Sequence, residues 1–279
     1  MRRPLSVSRR GSALVFALWI ALLIGVLGTV ALRLAAHGAG AAQIEADLAQ
    51  ARSAAESGVW FAAHRMATLD PGLRPPQASF RLELGGSQVA VQATDEDGRL
   101  DINAAPEPLL TAMFRVAGVA EQDAAALAAR VVEWRDPNTG LRIRQVGSMN
   151  DSQNRARFRT AGDIGSVPGV GMALAERLRD GMTVHTGNPW PARLSAPPLT
   201  QTILAQFMQD QGLAPLRQDG FRTPAPAQSG AGRRMILRIT AHARRGMVDA
   251  YVTAVIHATA WKGMPGRVLE WDAASRPSQ

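Results

Sequence analysis

The chain is 279 residues long and 46% hydrophobic, enough for one large domain or two modest ones and too long for a single small module. Its formal net charge of +8 is carried almost wholly by arginine, since Lys262 is the only lysine, and admits nucleic acid, anionic lipid or acidic protein as partners. Cysteine is absent, which excludes a disulfide framework, a thiolate metal site and a cysteine nucleophile, so an exported domain must be held by packing alone.

No charged residue interrupts Ser12 to Leu32 (SALVFALWIALLIGVLGTVAL). At ~1.5 Å per residue that run is long enough to cross a ~30 Å hydrocarbon layer. Arg2, Arg3, Arg9 and Arg10 precede it. The positive-inside rule therefore places the N-terminus in the cytoplasm and everything after the helix outside. A cleavable secretory signal is the competing reading, but its apolar region usually runs only ~7 to 15 residues. Beyond Arg33 an apolar stripe continues through Ile44, Leu48, Ala51, Ala55, Val59, Ala62 and Met66 at spacings of three and four. Gly38 and Gly40 are weak points, and Pro71-Gly72 ends the pattern, which predicts a helix of about 55 residues, half in lipid and half on a globular domain.

Arg9-Arg10-Gly11 followed by Ser12-Ala13-Leu14-Val15-Phe16 resembles the leader of type IV pilin-like proteins, whose basic residues and glycine precede a long apolar helix. The resemblance implies cleavage by a prepilin peptidase between Gly11 and Ser12 and methylation of the new N-terminus at Ser12. Most members carry glutamate at the fifth mature position, where this chain has Phe16. A carboxylate in a bilayer costs about 2.5 to 3.5 kcal/mol on insertion scales. In the family it is thought to answer a neighbour's terminal amine, so a subunit without it suits the tip rather than the shaft. The K-type minor pseudopilin of type II secretion characteristically lacks it.

Ser79 to Leu84 and Ser87 to Thr94 alternate around Gly85-Gly86, the signature of a hairpin. It runs into DEDGRLDINAAPEPLL, similar to the K family's passage from strand to inserted helical domain. Asp95, Asp97 and Asp101, with Gly98 permitting a sharp turn, weakly resemble a calcium loop that lacks the late bidentate acid. Leu109, Leu110, Met113 and Phe114, then Ala124, Leu127, Ala128, Val131 and Trp134, form the apolar faces of two helices joined at Gly118. A second such unit runs from Asp163 through Pro168-Gly169-Val170-Gly171 to Leu178, and both look like helix-hairpin-helix units. Gly169, Val170 and Gly171 are thus candidate phosphate binders, because backbone amides and the helix dipole meet there, with Arg177 and Arg179 nearby. That supplies the alternative function, a membrane-anchored DNA receptor of the competence type. The other role for those glycines is close packing of two helices.

The resemblance also implies calcium in the loop after Trp134. Leu141-Arg142-Ile143-Arg144 places two arginines where carboxylates are expected and repels a cation, leaving Asp136, Asn138 and Asp151 as remaining donors. No cofactor is expected. Thr186 to Gly232 reads mostly as loop, with a helix started by Pro197 or Pro198 and faced by Leu199, Ile203, Leu204 and Phe207. PAPAQSGAG then reads as a flexible connection. Arg234 to Ala243, a turn at Arg244-Arg245-Gly246, Val248 to Ala260 and Arg267 to Trp271 read as an antiparallel meander.

The division expected is leader 1–11, transmembrane helix 12–34, first part of a pilin-like α+β domain 35–103, inserted all-α domain 104–210, linker 211–232 and second part of the sheet 233–279. His37, His64, His185, His242 and His257 show no metal-ligand spacing, and there is no nucleophile or Walker motif, so no catalysis is expected. Taken whole, the chain resembles the K-type minor pseudopilins. The resemblance implies an inner-membrane protein with a periplasmic domain, whose partners are the I-type and J-type minor pseudopilins, the prepilin peptidase, the inner-membrane assembly platform and membrane lipid.

Overall fold

The computed structural model describes residues 10–70, 73–135, 157–213, 235–258 and 266–277. Helix α1 runs unbroken from Arg10 to Thr68, about 90 Å at 1.5 Å per residue, straight through the glycines at 38 and 40. It stops short of Pro71 because the Arg74 guanidinium takes over the last carbonyls, donating to Leu69 O at 2.8 Å and Ala67 O at 3.1 Å. Of the predicted stripe, Ala51, Ala55, Val59, Ala62 and Met66 are fully buried. Ile44 is 53% exposed, because the sheet that buries the stripe ends a turn above it, where Asp47 accepts from Arg245 Nε at 2.8 Å.

Strands β1 (Gln77–Leu84) and β2 (Ser87–Asp95) form the predicted hairpin, its two-residue turn made by Gly85 and Gly86 at φ +56° and +77°. Strands β5 (Met235–Arg245), β6 (Val248–Ala258) and β7 (Gly266–Pro277) complete an antiparallel sheet in the order β1-β2-β5-β6-β7. The β5–β6 turn is tighter than expected. Arg244 and Arg245 belong to the strand, Arg245 pairs Val248, and only Gly246 and Met247 turn. Strand β7 is also longer than its alternation indicated. Because β2 pairs with β5, everything between them in sequence is an insertion that leaves the sheet continuous.

Within that insertion, α2 (Glu107–Val116) and α3 (Glu121–Arg135) form the first hairpin, turning at Gly118 with φ +86°. The second unit differs from expectation. Its first arm is a 3-10 turn over Ala161–Ser166, capped by Thr160 and Asp163, and its second is the short α4 (Gly171–Leu178). Helix α5 (Pro198–Asp210) starts where the prolines predicted and buries Ile203. An unpredicted two-stranded parallel ribbon, β3 (Leu100–Asp101) with β4 (Met182–Thr183), closes the insertion's neck. The molecule is α+β, and body and insertion bury separate apolar cores.

Candidate functional site

Three places carry the candidate residues: the start of α1, the acidic turn at the neck, and the second hairpin. Gly11 and Ser12 lie in the first turns of α1. From Ala13 to Val30 the helix is long and apolar enough to cross a membrane, and none of that span is buried within this chain. Phe16 is 68% exposed, in line with its neighbours Leu14, Val15, Leu18 and Trp19. Thr29 Oγ1 returns its donor to Val26 O at 2.8 Å, so the hydroxyl makes no demand on the surroundings. The span is therefore an apolar surface that only lipid or another apolar helix can cover. By length and composition it is a helix that could cross a membrane, and it is continuous with the helix that packs on the sheet.

The acidic turn is occupied by the protein itself. Asp95 accepts from Asp97 N at 3.0 Å, and Asp97 Oδ1 accepts from Asn188 Nδ2 at 2.7 Å. Asp101 accepts from Asn103 N at 2.8 Å, Gly187 N at 2.7 Å and Thr186 Oγ1 at 3.2 Å. These carboxylates tie the insertion's entry to the segment that follows β4, and no cluster of metal-ligating side chains occurs among the described residues. Gly98 does not serve the turn as expected. Its backbone is ordinary, but a side chain there would lie 2.2 Å from the Ser195 carbonyl, so glycine is needed for close approach of the 193–196 segment. Asp136, Asn138 and Asp151 lie outside the described residues.

In the second hairpin, Gly169 and Gly171 have φ of +94° and +73°, and Val170 between them is buried. A side chain at Gly169 would meet Arg130 Nη1 at 2.6 Å and Leu127 Cδ2 at 3.1 Å, and Arg130 donates to Pro168 O at 3.1 Å. The turn is thus pressed onto α3. Arg179 lies 3.5 Å from Glu176 on an exposed face. Across residues 104–135 and 157–213, eight acidic and eight basic side chains cancel. The chain's excess positive charge sits instead in the leader and between Arg217 and Arg245. A phosphate backbone needs an uncompensated basic surface, which the described insertion does not offer.

Around the fully buried Glu96 lies a charged junction that sequence reasoning missed. Glu96, with no solvent exposure, accepts from Arg238 Nε at 3.0 Å and Nη2 at 2.7 Å, with Arg99 at 3.5 Å. Arg238 Nη2 is also 3.7 Å from Glu270 on β7, and Glu270 is 3.6 Å from His185 Nε2. Burial opposes the Arg238 charge, but the hydrogen bond and charge of Glu96 overcome it and raise the guanidinium pKa further. His185, then the charge of Arg238, holds Glu270 below the usual carboxylate range against partial burial. Glu96 stood in the sequence only as one acid of an acidic turn, and its partner is 142 residues away. No local pattern links them.

No family model matches the sequence, and no curated protein is similar to it. Among solved structures, a chain of the GspK-GspI-GspJ complex from the type 2 secretion system of enterotoxigenic Escherichia coli aligns over 87% of this chain and 99% of its own. Identity is 12% and the TM-score 0.48, a likeness too remote to carry function.

Proposed function

We propose that this chain is a K-type minor pseudopilin of a type II secretion system, or its counterpart in a divergent system, working at the pseudopilus tip in secretion across the outer membrane. One observation carries the reading: α1 is a single helix that carries Arg10-Gly11-Ser12 ahead of its apolar span, leaves that span bare and buries its second half on a sheet. Such a helix can sit in lipid and later in a filament without refolding, because both environments accept the same exposed apolar side chains. A prepilin peptidase cuts after Gly11, and Ser12 becomes the methylated N-terminus. With Phe16 the subunit brings no carboxylate for a neighbour's amine, which fits a position with no subunit above it. The insertion widens the head, a steric reason for the same place. The I-type and J-type minor pseudopilins are the partners, the inner-membrane assembly platform receives the anchored protein, and the exported domain is periplasmic. No turnover is involved.

Coexpression with a prepilin peptidase tests this. Intact mass should show loss of residues 1–11 and a methyl group on Ser12, and Gly11→Val should keep the leader. Normal processing of Gly11→Val would sink the assignment. Duplex DNA binding by the exported part that weakens steeply with salt would instead support the DNA receptor.

A further inference from the structure

Strand directions bring three ends of the sheet to one level, beside the part of α1 nearest its bare apolar span. The β1–β2 turn, the β5–β6 turn and the end of β7 meet there, since Gln88 pairs Arg244, Arg245 pairs Val248 and Val248 pairs Pro277. Arg245 fixes this rim as one piece, donating from Nε to Asp47 of α1 at 2.8 Å and from Nη1 to Gly85 O of the neighbouring turn. The protruding tips carry no charge. They are Gly85, Gly86 and Gly246 together with Met247, which is 78% exposed at a position where two-residue turns ordinarily carry glycine, asparagine or aspartate. Ile44 of α1, 53% exposed, lies just below. Around the tips, Asp47 is taken up by Arg245 and Asp249 lies 2.8 Å from His242 Nε2, while Arg244, Glu45 and Glu83 are exposed and oppose one another in sign. Recognition therefore falls to the apolar tip.

We propose that this rim is a lipid-contact surface, with Met247 resting in the headgroup layer of the membrane that α1 crosses. The helix sets the reach. Ile44 stands ~18 Å beyond Leu32 at ~1.5 Å per residue, and headgroups fill roughly 5 to 8 Å of that, which leaves about 10 to 13 Å. A lean of the head closes the gap, because membrane helices tilt by about 20° on average and by up to ~40°. Every residue from Gly40 to Ala46 is exposed, and Gly38 and Gly40 soften the helix there, so the lean meets little resistance. The leaflet edge that covers Leu32 is then the nearest apolar medium to Met247. The flexible thioether chain enters it, Arg244 lays its apolar stem alongside with the guanidinium among phosphate oxygens, and the glycine turns let the backbone come close. The inference rests on α1 crossing a membrane and is independent of a role in secretion.

Because the chain has no cysteine, a single introduced one carries a fluorophore without competition. The full chain, labelled at Met247→Cys, Leu73→Cys or Ile24→Cys, is reconstituted in vesicles of phosphatidylethanolamine and phosphatidylglycerol bearing a nitroxide on the headgroup or along the acyl chain. Leu73, 75% exposed, lies at the far end of the sheet, and Ile24 lies within the apolar span. The label at 24 should lose emission to the acyl-chain nitroxide, the label at 247 to the headgroup nitroxide, and the label at 73 to neither. With the label moved to Gln88→Cys beside the turn, Met247→Asp should remove the headgroup quenching and Met247→Leu should keep it. Equal quenching at 247 and 73 overturns the contact while leaving the anchor in place. So does a label at 247 that is shielded from water but quenched by no lipid, as a second copy of the chain would produce. An unquenched label at 24 overturns the anchor and the contact together.

Discussion

In the body, α1 meets the sheet through Ala51, Ala55, Gly58 and Ala62, whereas the insertion is filled by Leu109, Leu110, Met113, Phe114 and Ile164. The two cores contrast in how they exclude water. Small side chains let the long helix sit close on the strands, so close that a side chain at Gly58 would meet Val89 and Val91 at 2.9 Å each. In the insertion, short helices and turns surround large side chains that fill the space between them. The body should therefore fail when residues are enlarged, and the insertion when they are truncated.

The sharpest break is Phe114→Ala. Its ring has no exposure, and truncation should cost about 3 to 5 kcal/mol, seen as early loss of protection in 104–210 while the sheet stays protected. Coincident unfolding of sheet and insertion would show that the separate cores behave as one. Arg238→Met attacks the bridge between them. It leaves Glu96 buried with only Arg99 at 3.5 Å, and should cost roughly 3 kcal/mol, the low end for breaking a buried pair. Its unfolding should report from both regions.

Gly58→Leu tests the close approach. Overpacking against Val89 and Val91 should cost about 1 to 3 kcal/mol, with α1 above Asp47 exchanging faster and the insertion unaffected. The smallest effect is expected from Asp163→Asn. Asp163 accepts from Thr160 N at 3.0 Å, Thr160 Oγ1 at 2.7 Å and Arg159 N at 2.8 Å. Burial opposes its charge, and those bonds more than offset it, leaving the pKa lowered. Its contribution, small because solvent screens a mostly exposed carboxylate, is thus present above the ordinary carboxylate pKa of ~3.9 and lost as pH falls through the lower folded value. Between pH 5 and 2 the Asp163→Asn variant should lose less stability than the parent, measured by denaturation.

Legibility followed the range of the interactions. The α1 stripe, the Gly85-Gly86 hairpin and the α2 and α3 faces were readable because their spacing is local and periodic. The 3-10 arm at Ala161–Ser166 was read as helix because glycine and serine in a short run carry no period. Ribbon strands β3 and β4 were missed because two residues cannot alternate visibly and their partners lie 82 positions apart. At Gly98, glycine was assigned to a turn when it makes room for Ser195, a neighbour the sequence does not reveal.

By itself the sequence determined the apolar span after Gly11, the absence of a carboxylate at Phe16 and the pairing of β1 with β2. Each rests on hydrophobicity or spacing within a few turns of chain. Tertiary structure alone decided what the charges do. It turned Asp97 and Asp101 from candidate ligands into ties across the neck, pressed Gly169 against Arg130 and brought Glu96, Arg238, Glu270 and His185 together. A charge keeps its sign along the chain, but its partner is chosen by the fold, since desolvation makes an ion seek whichever opposite charge the packing brings near.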